Sequence, residues 1–130
     1  MKKILKFKKN TEGQSLVEFA LVLPLLMAVI LGMVEFGWIL NGKITLTSAA
    51  REGARFYAVS KDASKVEETV KKTTVNSGLN ITEVIPTKEV NYTENIHNVK
   101  VTVRGSVNPI IGLFFHTPVN MESIAIMREE

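Results

Sequence analysis

Two carboxylates bracket an apolar stretch, and their positions call for a chemical explanation. Glu18 comes directly before residues 19–40, a run of 22 residues whose single charged side chain is Glu35. A carboxylate at or inside a bilayer is costly and indicates a functional role by default. The alternative for Glu18 is a position at the interface, solvated by lipid headgroups. We interpret Glu35 as a boundary residue that reaches the outer headgroup layer.

The rest of the sequence offers little for catalysis or metal binding. It has no cysteine, and its two histidines are His97 and His116. The spacings of a zinc-protease motif, a serine-hydrolase nucleophile motif and a phosphate-binding glycine loop are all missing. Glu83, Glu89 and Glu94 are spread along predicted strands without a pattern of partners. We therefore predict that the protein is not an enzyme and has no catalytic residue, metal site or cofactor.

The net charge of +3 is a signal of membrane topology. Residues 1–13 contain five Lys and one Glu, a net charge of +4, which leaves −1 for the rest of the chain. Basic residues that precede an apolar segment tend to stay in the cytoplasm. We predict a cytoplasmic N-terminus, a C-terminal domain outside, and no nucleic-acid partner.

Residues 19–40 are long enough to cross a bilayer once as a helix, since about 20 apolar residues span its core. The alternatives are a buried core helix, which the remaining apolar residues are too few to cover, and a secretory signal peptide, for which this run is too long. Small residues and a proline recur every four positions and share one face, which permits close packing of helices: Ala20, Pro24, Ala28 and Gly32. Without a partner helix, the same face would simply contact lipid. Pro24 also predicts a kink.

The segment Gly13-Gln14-Ser15-Leu16-Val17-Glu18-Phe19, with its basic leader, resembles the processing site of type IV prepilins. The resemblance implies that a prepilin peptidase cleaves between Gly13 and Gln14. It also implies that Glu18 pairs with the new amino terminus of an adjacent subunit and so sets the register of assembly.

A second segment extends this resemblance. Ala49-Ala50-Arg51-Glu52-Gly53-Ala54-Arg55, taken with Gly13, Val17-Glu18-Phe19-Ala20, Pro24 and Glu35-Phe36-Gly37, resembles the TadE-like family over residues 13–55. These are pseudopilins of tight-adherence pilus systems, which implies a role in pilus assembly and cell adhesion. The partners implied are the prepilin peptidase, other pilin-like subunits, the assembly platform and the lipid bilayer. The location implied is the cytoplasmic membrane or an extracellular pilus, and the 75 residues beyond Arg55 favour a minor pilin.

The bottom-up interpretation of this second segment is a helix whose small residues leave a groove for another helix. Gly53 and Ala54 would line that groove, while Arg51 and Arg55, one turn apart, would need Glu52 or a neighbour as a counter-charge. The alternative is a solvated helix face.

The predicted fold class is α+β, with a long N-terminal transmembrane helix, a short second helix and a small antiparallel sheet of three or four strands. Residues 1–13 form a basic leader, 14–59 the long helix, and 60–130 an extracytoplasmic domain. Asp62 is expected to cap a second helix over residues 63–77, ended by Gly78. Alternation of apolar and polar residues predicts strands at 79–85, stopped by Pro86, and at 88–93, 99–104 and 121–127, with a hairpin loop at 95–98.

Residues 109–118 form an apolar loop that either caps the core or contacts a neighbouring subunit or the membrane. Three other functions remain open at this stage. The chain could be an uncleaved single-pass protein whose outer domain binds envelope partners, an enzyme with an unrecognised site, or a pseudopilin that binds nucleic acid through a local basic patch.

Overall fold

The computed structural model describes residues 11–92 and 96–129, so most of the basic leader, residues 1–10, lies outside the described residues. The described chain is α+β, as predicted, and its sheet has three strands. The elements in chain order are α1 (Thr11–Ser60), a single 3-10 turn (Ala63–Lys65), α2 (Val66–Thr74), β1 (Leu79–Asn91), β2 (Ile96–Val107) and β3 (Val119–Arg128).

Helix α1 is the longest element, with 50 residues and a length of about 75 Å at 1.5 Å per residue. It continues through Pro24 and through Asn41-Gly42 without interruption. Residues 11–13, the end of the predicted leader, are helical and continuous with the rest of α1. Its most apolar 18-residue window is long and apolar enough to cross a membrane, and none of that window is buried. A soluble core helix of this kind would be mostly covered, so α1 fits a single-pass anchor.

Helix α2 is shorter than the sequence predicts. Asp62 does cap its 3-10 entry, because its carboxylate accepts a hydrogen bond from the Ser64 amide at 3.0 Å. The helix ends at Thr74, three residues before the expected end at residue 77. Thr74, the last helical residue, and Val75, which is extended, are both β-branched, which lowers their preference for a helix. Asn76 then takes a positive φ of 64°, outside the right-handed helical region.

The sheet has the order β1-β2-β3, and both pairs of strands are antiparallel. Contrary to the prediction, Pro86 does not stop the first strand. It lies inside β1, opposite Val101. Because β1 is an edge strand, a residue without an amide hydrogen can be accommodated with its nitrogen facing away from β2. The predicted strands at 79–85 and 88–93 are therefore one strand over Leu79–Asn91.

The predicted hairpin loop at 95–98 is also wrong for its last three residues. Ile96, His97 and Asn98 already pair with β1, opposite Asn91, Val90 and Glu89, while Asn95 lies outside the described residues. Continuous pairing of main-chain groups across the ladder is favourable even where the side chains are polar, so the ladder extends beyond the apolar alternation.

The core lies between α1, α2 and one face of the sheet. The valines of β2 meet small and apolar residues of α1 there; the fully buried members are Leu46, Ala49, Ala50, Ala54, Val66, Val70, Val99, Val101 and Val103. Small residues on α1 let the helix approach the sheet closely. A Cβ on Gly53, for example, would lie 2.8 Å from a methyl group of Val70 on α2. The core therefore holds the C-terminal half of α1 against the domain and leaves its N-terminal half uncovered.

Candidate functional site

The face of α1 that packs on the domain begins at Glu35. Buried positions recur along the helix at spacings of three and four residues: Glu35, Ile39, Gly42, Leu46, Ala49, Ala50, Gly53, Ala54, Tyr57 and Ala58. This spacing is one side of an α-helix. Glu35 is therefore the first fully buried residue on this face of α1.

Glu35 does not reach the headgroup layer as a free carboxylate, so that interpretation is wrong. Its side chain is 0% exposed. Its carboxylate accepts hydrogen bonds from the amides of Gly112 at 2.7 Å and Phe114 at 3.3 Å. Both donors belong to residues 108–118, which connect β2 to β3 and which we call the apolar loop. Two main-chain donors satisfy the buried charge, as a buried carboxylate requires.

The apolar loop is held to α1 at two further points. The indole Nε1 of Trp38 donates a hydrogen bond to the main-chain oxygen of Asn108 at 3.2 Å. The ring of Phe114 lies over Gly32, where an added Cβ would come within 2.7 Å of that ring. The loop thus extends along α1 from Trp38 to Gly32, back into the apolar part of the helix.

The residues predicted for cleavage and register lie at the free end of α1. A Cβ added to Gly13 would have no atom within 4 Å other than those of its chain neighbours and of the adjacent helix backbone. Gln14 and Glu18 are exposed, and the Gln14 side-chain amide donates to the Glu18 carboxylate at 3.3 Å. The predicted cleavage site therefore lies on a helical segment against which no other described part of the chain packs.

The small-residue face divides into two parts. Ala20 and Pro24 are exposed, whereas Ala28 and Gly32 are half-buried. Gly32 is in contact with Phe114 of the same chain. The structure therefore brings the outer end of this face together with the apolar loop and leaves its inner end open.

Residues 51–55 contribute to the core and to the surface at once. Gly53 and Ala54 are buried, and the helix that enters the groove at Gly53 is α2 of the same chain. Arg51, Glu52 and Arg55 are exposed, and no ion pair in residues 11–92 and 96–129 includes any of them. The small residues of the segment thus have a structural partner, and its charged residues face outward.

A known protein family matches the part of α1 that contains these residues. Residues 13–55 match the family model described as TadE-like protein. No curated protein and no solved structure matches the chain. TadE-like proteins are a structural, pilus-related family and not a family of enzymes. The match and the long apolar helix together fit a pilin-like membrane protein.

The TadE-like match lies within α1 and ends at Arg55. It includes Gly13, Glu18 and Glu35 but neither the sheet nor the apolar loop. The sequence does contain a signal for the buried position of Glu35, which lies seven positions before Gly42 and eleven before Leu46, on the same helical face.

The outer face of the sheet carries ion pairs and no enclosed site. Arg104 on β2 lies between Glu83 on β1, at 2.9 Å, and Glu122 on β3, at 2.5 Å. The hydrogen bonds that Arg104 donates to Glu122 and then to Glu83 raise the pKa of its guanidinium above its usual value. Cross-strand pairs of opposite charge such as these stabilise a sheet and fix its register. In the described part of the chain, no group of three or more His, Asp or Glu residues could hold a metal ion.

Proposed function

We propose that this protein is a pilin-like subunit of a tight-adherence pilus system, held in the cytoplasmic membrane by residues 19–40 and cleaved after Gly13 by a prepilin peptidase. The observation that carries the proposal is the TadE-like match, which begins at Gly13 and continues along an unbroken helix. The leader-side charge of +4 supports a cytoplasmic N-terminus and an outer domain on the other side.

The surroundings of Gly13 support peptidase access. The scissile bond would lie at the end of the described helix that is remote from the folded domain, and a Cβ added to Gly13 would meet no atom within 4 Å. Glycine is also the residue, apart from proline, that costs a helix most. The helix around Gly13 can therefore open into an active site at a small cost, without disturbing the packing of α1 on the rest of the chain, which begins roughly 28 Å away at Gly32.

The exposed Glu18 supports a role in assembly. After cleavage, Gln14 would carry the new amino group, one helical turn from Glu18, whose carboxylate the Gln14 side chain already contacts. In a filament, the Glu18 carboxylate would pair with the amino group of a neighbouring subunit. Such a pair offsets the cost of burying each charge and is sensitive to the register between subunits. Cyclisation of Gln14 would remove the amino group and weaken this pair.

The test is the N-terminal residue of the protein isolated from cells that contain a prepilin peptidase, determined by mass spectrometry. We expect the wild type to begin at Gln14 and Gly13→Ala to retain Met1. Gly37→Ala is the matched control, because neither glycine has an atom within 4 Å of an added Cβ. An intact Met1 in the wild type would support an uncleaved single-pass protein with an outer domain that binds envelope partners. Normal processing of Gly13→Ala would instead show that Gly13 does not define the cleavage site.

The assembly step has its own test. We expect Glu18→Ala to be cleaved as the wild type is, yet to be absent from the sheared filament fraction or to leave that fraction depleted of pilin. Equal recovery of filaments from Glu18→Ala and wild-type cells would refute the role of Glu18 in register.

A further inference from the structure

The apolar loop lies beside the part of α1 that would be in the membrane. A bilayer core corresponds to about 20 helical residues, so a span that begins at Phe19 ends near Trp38. Gly32, which contacts Phe114, is six residues before Trp38 and hence about 9 Å inside that outer limit. The loop therefore extends below the level at which α1 leaves the apolar core.

The composition of the loop suits this level. From residue 105 to residue 121 the chain contains no Asp, Glu, Lys or Arg. Pro109 and Pro118 have no amide hydrogen to satisfy. Two of the remaining loop amides, those of Gly112 and Phe114, donate to Glu35. Interfacial water and headgroups are available to the others at the edge of a bilayer.

The apolar side chains of the loop are only partly covered by the protein, although the Phe114 ring also contacts Gly32. Five of them are apolar and 36–59% exposed: Ile110, Ile111, Leu113, Phe114 and Phe115. On α1, Met33, Val34 and Phe36 are also exposed at this level. The exposed apolar residues of the loop thus lie at the same level along α1 as exposed apolar residues of the helix, and these helix residues belong to the segment that fits a membrane anchor.

We propose that the apolar loop inserts into the outer leaflet of the bilayer beside α1, so that the protein contacts the membrane through two elements. Glu35 makes this possible: it turns two loop amides inward and leaves the apolar side chains to face acyl chains. The contact fixes the domain at the membrane surface and limits how far it can tilt about the end of the helix. The inference rests on the membrane-anchored part of the proposed function and not on cleavage or filament assembly.

The absence of cysteine allows a direct test by site-directed spin labelling. A nitroxide is attached to Leu113→Cys or Phe115→Cys in the full-length protein, reconstituted in vesicles of phosphatidylethanolamine and phosphatidylglycerol. Collision rates are measured with oxygen, which concentrates in lipid, and with a water-soluble nickel chelate. Leu26→Cys serves as the reference for a lipid-facing helix position. Tyr92→Cys serves as the aqueous reference, because the Tyr92 side chain is 90% exposed just beyond the far end of β1.

We expect both loop labels to show a ratio of oxygen to nickel collisions shifted from that of Tyr92→Cys toward that of Leu26→Cys. A ratio equal to that of Tyr92→Cys at both loop positions would overturn the proposal. Low rates with both reagents, with dipolar broadening between labels, would also overturn it, because they indicate that a second copy covers the loop. If Leu26→Cys itself is accessible to nickel, the anchor fails, a result distinct from failure of the loop alone.

Discussion

The hydrogen bonds to Glu35 predict how the apolar loop responds when that side chain is removed. Glu35→Ala deletes the acceptor of the Gly112 and Phe114 amides. Hydrogen bonds to a charged group contribute about 1.5–3 kcal/mol each, so the pair contributes about 3–6 kcal/mol to keeping the loop on α1. The lower end applies here, because a released loop can satisfy its amides with water. About 3 kcal/mol corresponds to a roughly 100-fold increase in the fraction of open loop.

Hydrogen–deuterium exchange followed by mass spectrometry, with the protein in lipid nanodiscs, measures that fraction. Peptides that cover residues 108–118 should exchange roughly 100-fold faster in Glu35→Ala, while peptides from β2 keep their protection. Glu35→Gln should fall between the two, since it keeps one carbonyl acceptor. Glu52→Ala is the matched control, an exposed glutamate on the same helix with no ion pair in the described structure. Unchanged exchange of the loop in Glu35→Ala would refute the role assigned to Glu35.

Two further predictions concern the folded domain. Gly53→Leu should destabilise it by about 1–3 kcal/mol in thermal unfolding followed by circular dichroism, because its side chain would enter space filled by Val70 of α2. Gly37→Leu, at a glycine whose added Cβ would meet no atom within 4 Å, should unfold like the wild type, and equal losses would contradict the packing described. The hydrogen bond from Lys88, followed by the charges of Lys88 and Lys61, lowers the pKa of the Glu129 carboxyl. Glu129 therefore stabilises the fold at pH values above its unfolded pKa. This contribution is lost as the pH falls through the folded pKa. Urea unfolding should therefore show a smaller loss of stability on acidification in Glu129→Gln than in the wild type, and parallel curves would exclude this linkage.

The elements that sequence patterns predicted correctly are those governed by local periodicity. A 22-residue apolar run has few alternatives to a helix, and Val99, Val101 and Val103 alternate with polar residues as a half-buried strand must. The cap by Asp62 at the start of the second helix is likewise local, and the structure shows it. The fold class followed from these elements.

The errors share a different cause, which is dependence on residues distant in sequence. Whether Pro86 ends a strand depends on which edge of the sheet that strand occupies, and no local pattern states this. Glu35 was interpreted as a boundary residue because its partners, Gly112 and Phe114, lie 77 and 79 positions later. Similarly, the groove at Gly53 could be predicted from small residues, but not that α2 of the same chain fills it.

The position of the apolar loop has a consequence for how such subunits could assemble. The face of Ala20, Pro24, Ala28 and Gly32 is the expected contact for a neighbouring helix, yet Phe114 already covers its outer end. A neighbour must therefore either displace the loop, breaking its hydrogen bonds to Glu35, or pack against the inner end, where Ala20 and Pro24 are exposed beside Glu18. The second arrangement costs no intramolecular contact and places the carboxylate proposed to set register next to the packing surface. In the proposed function, helix contacts between subunits should thus form first at the cytoplasmic half of α1, while the outer half stays committed to its own domain.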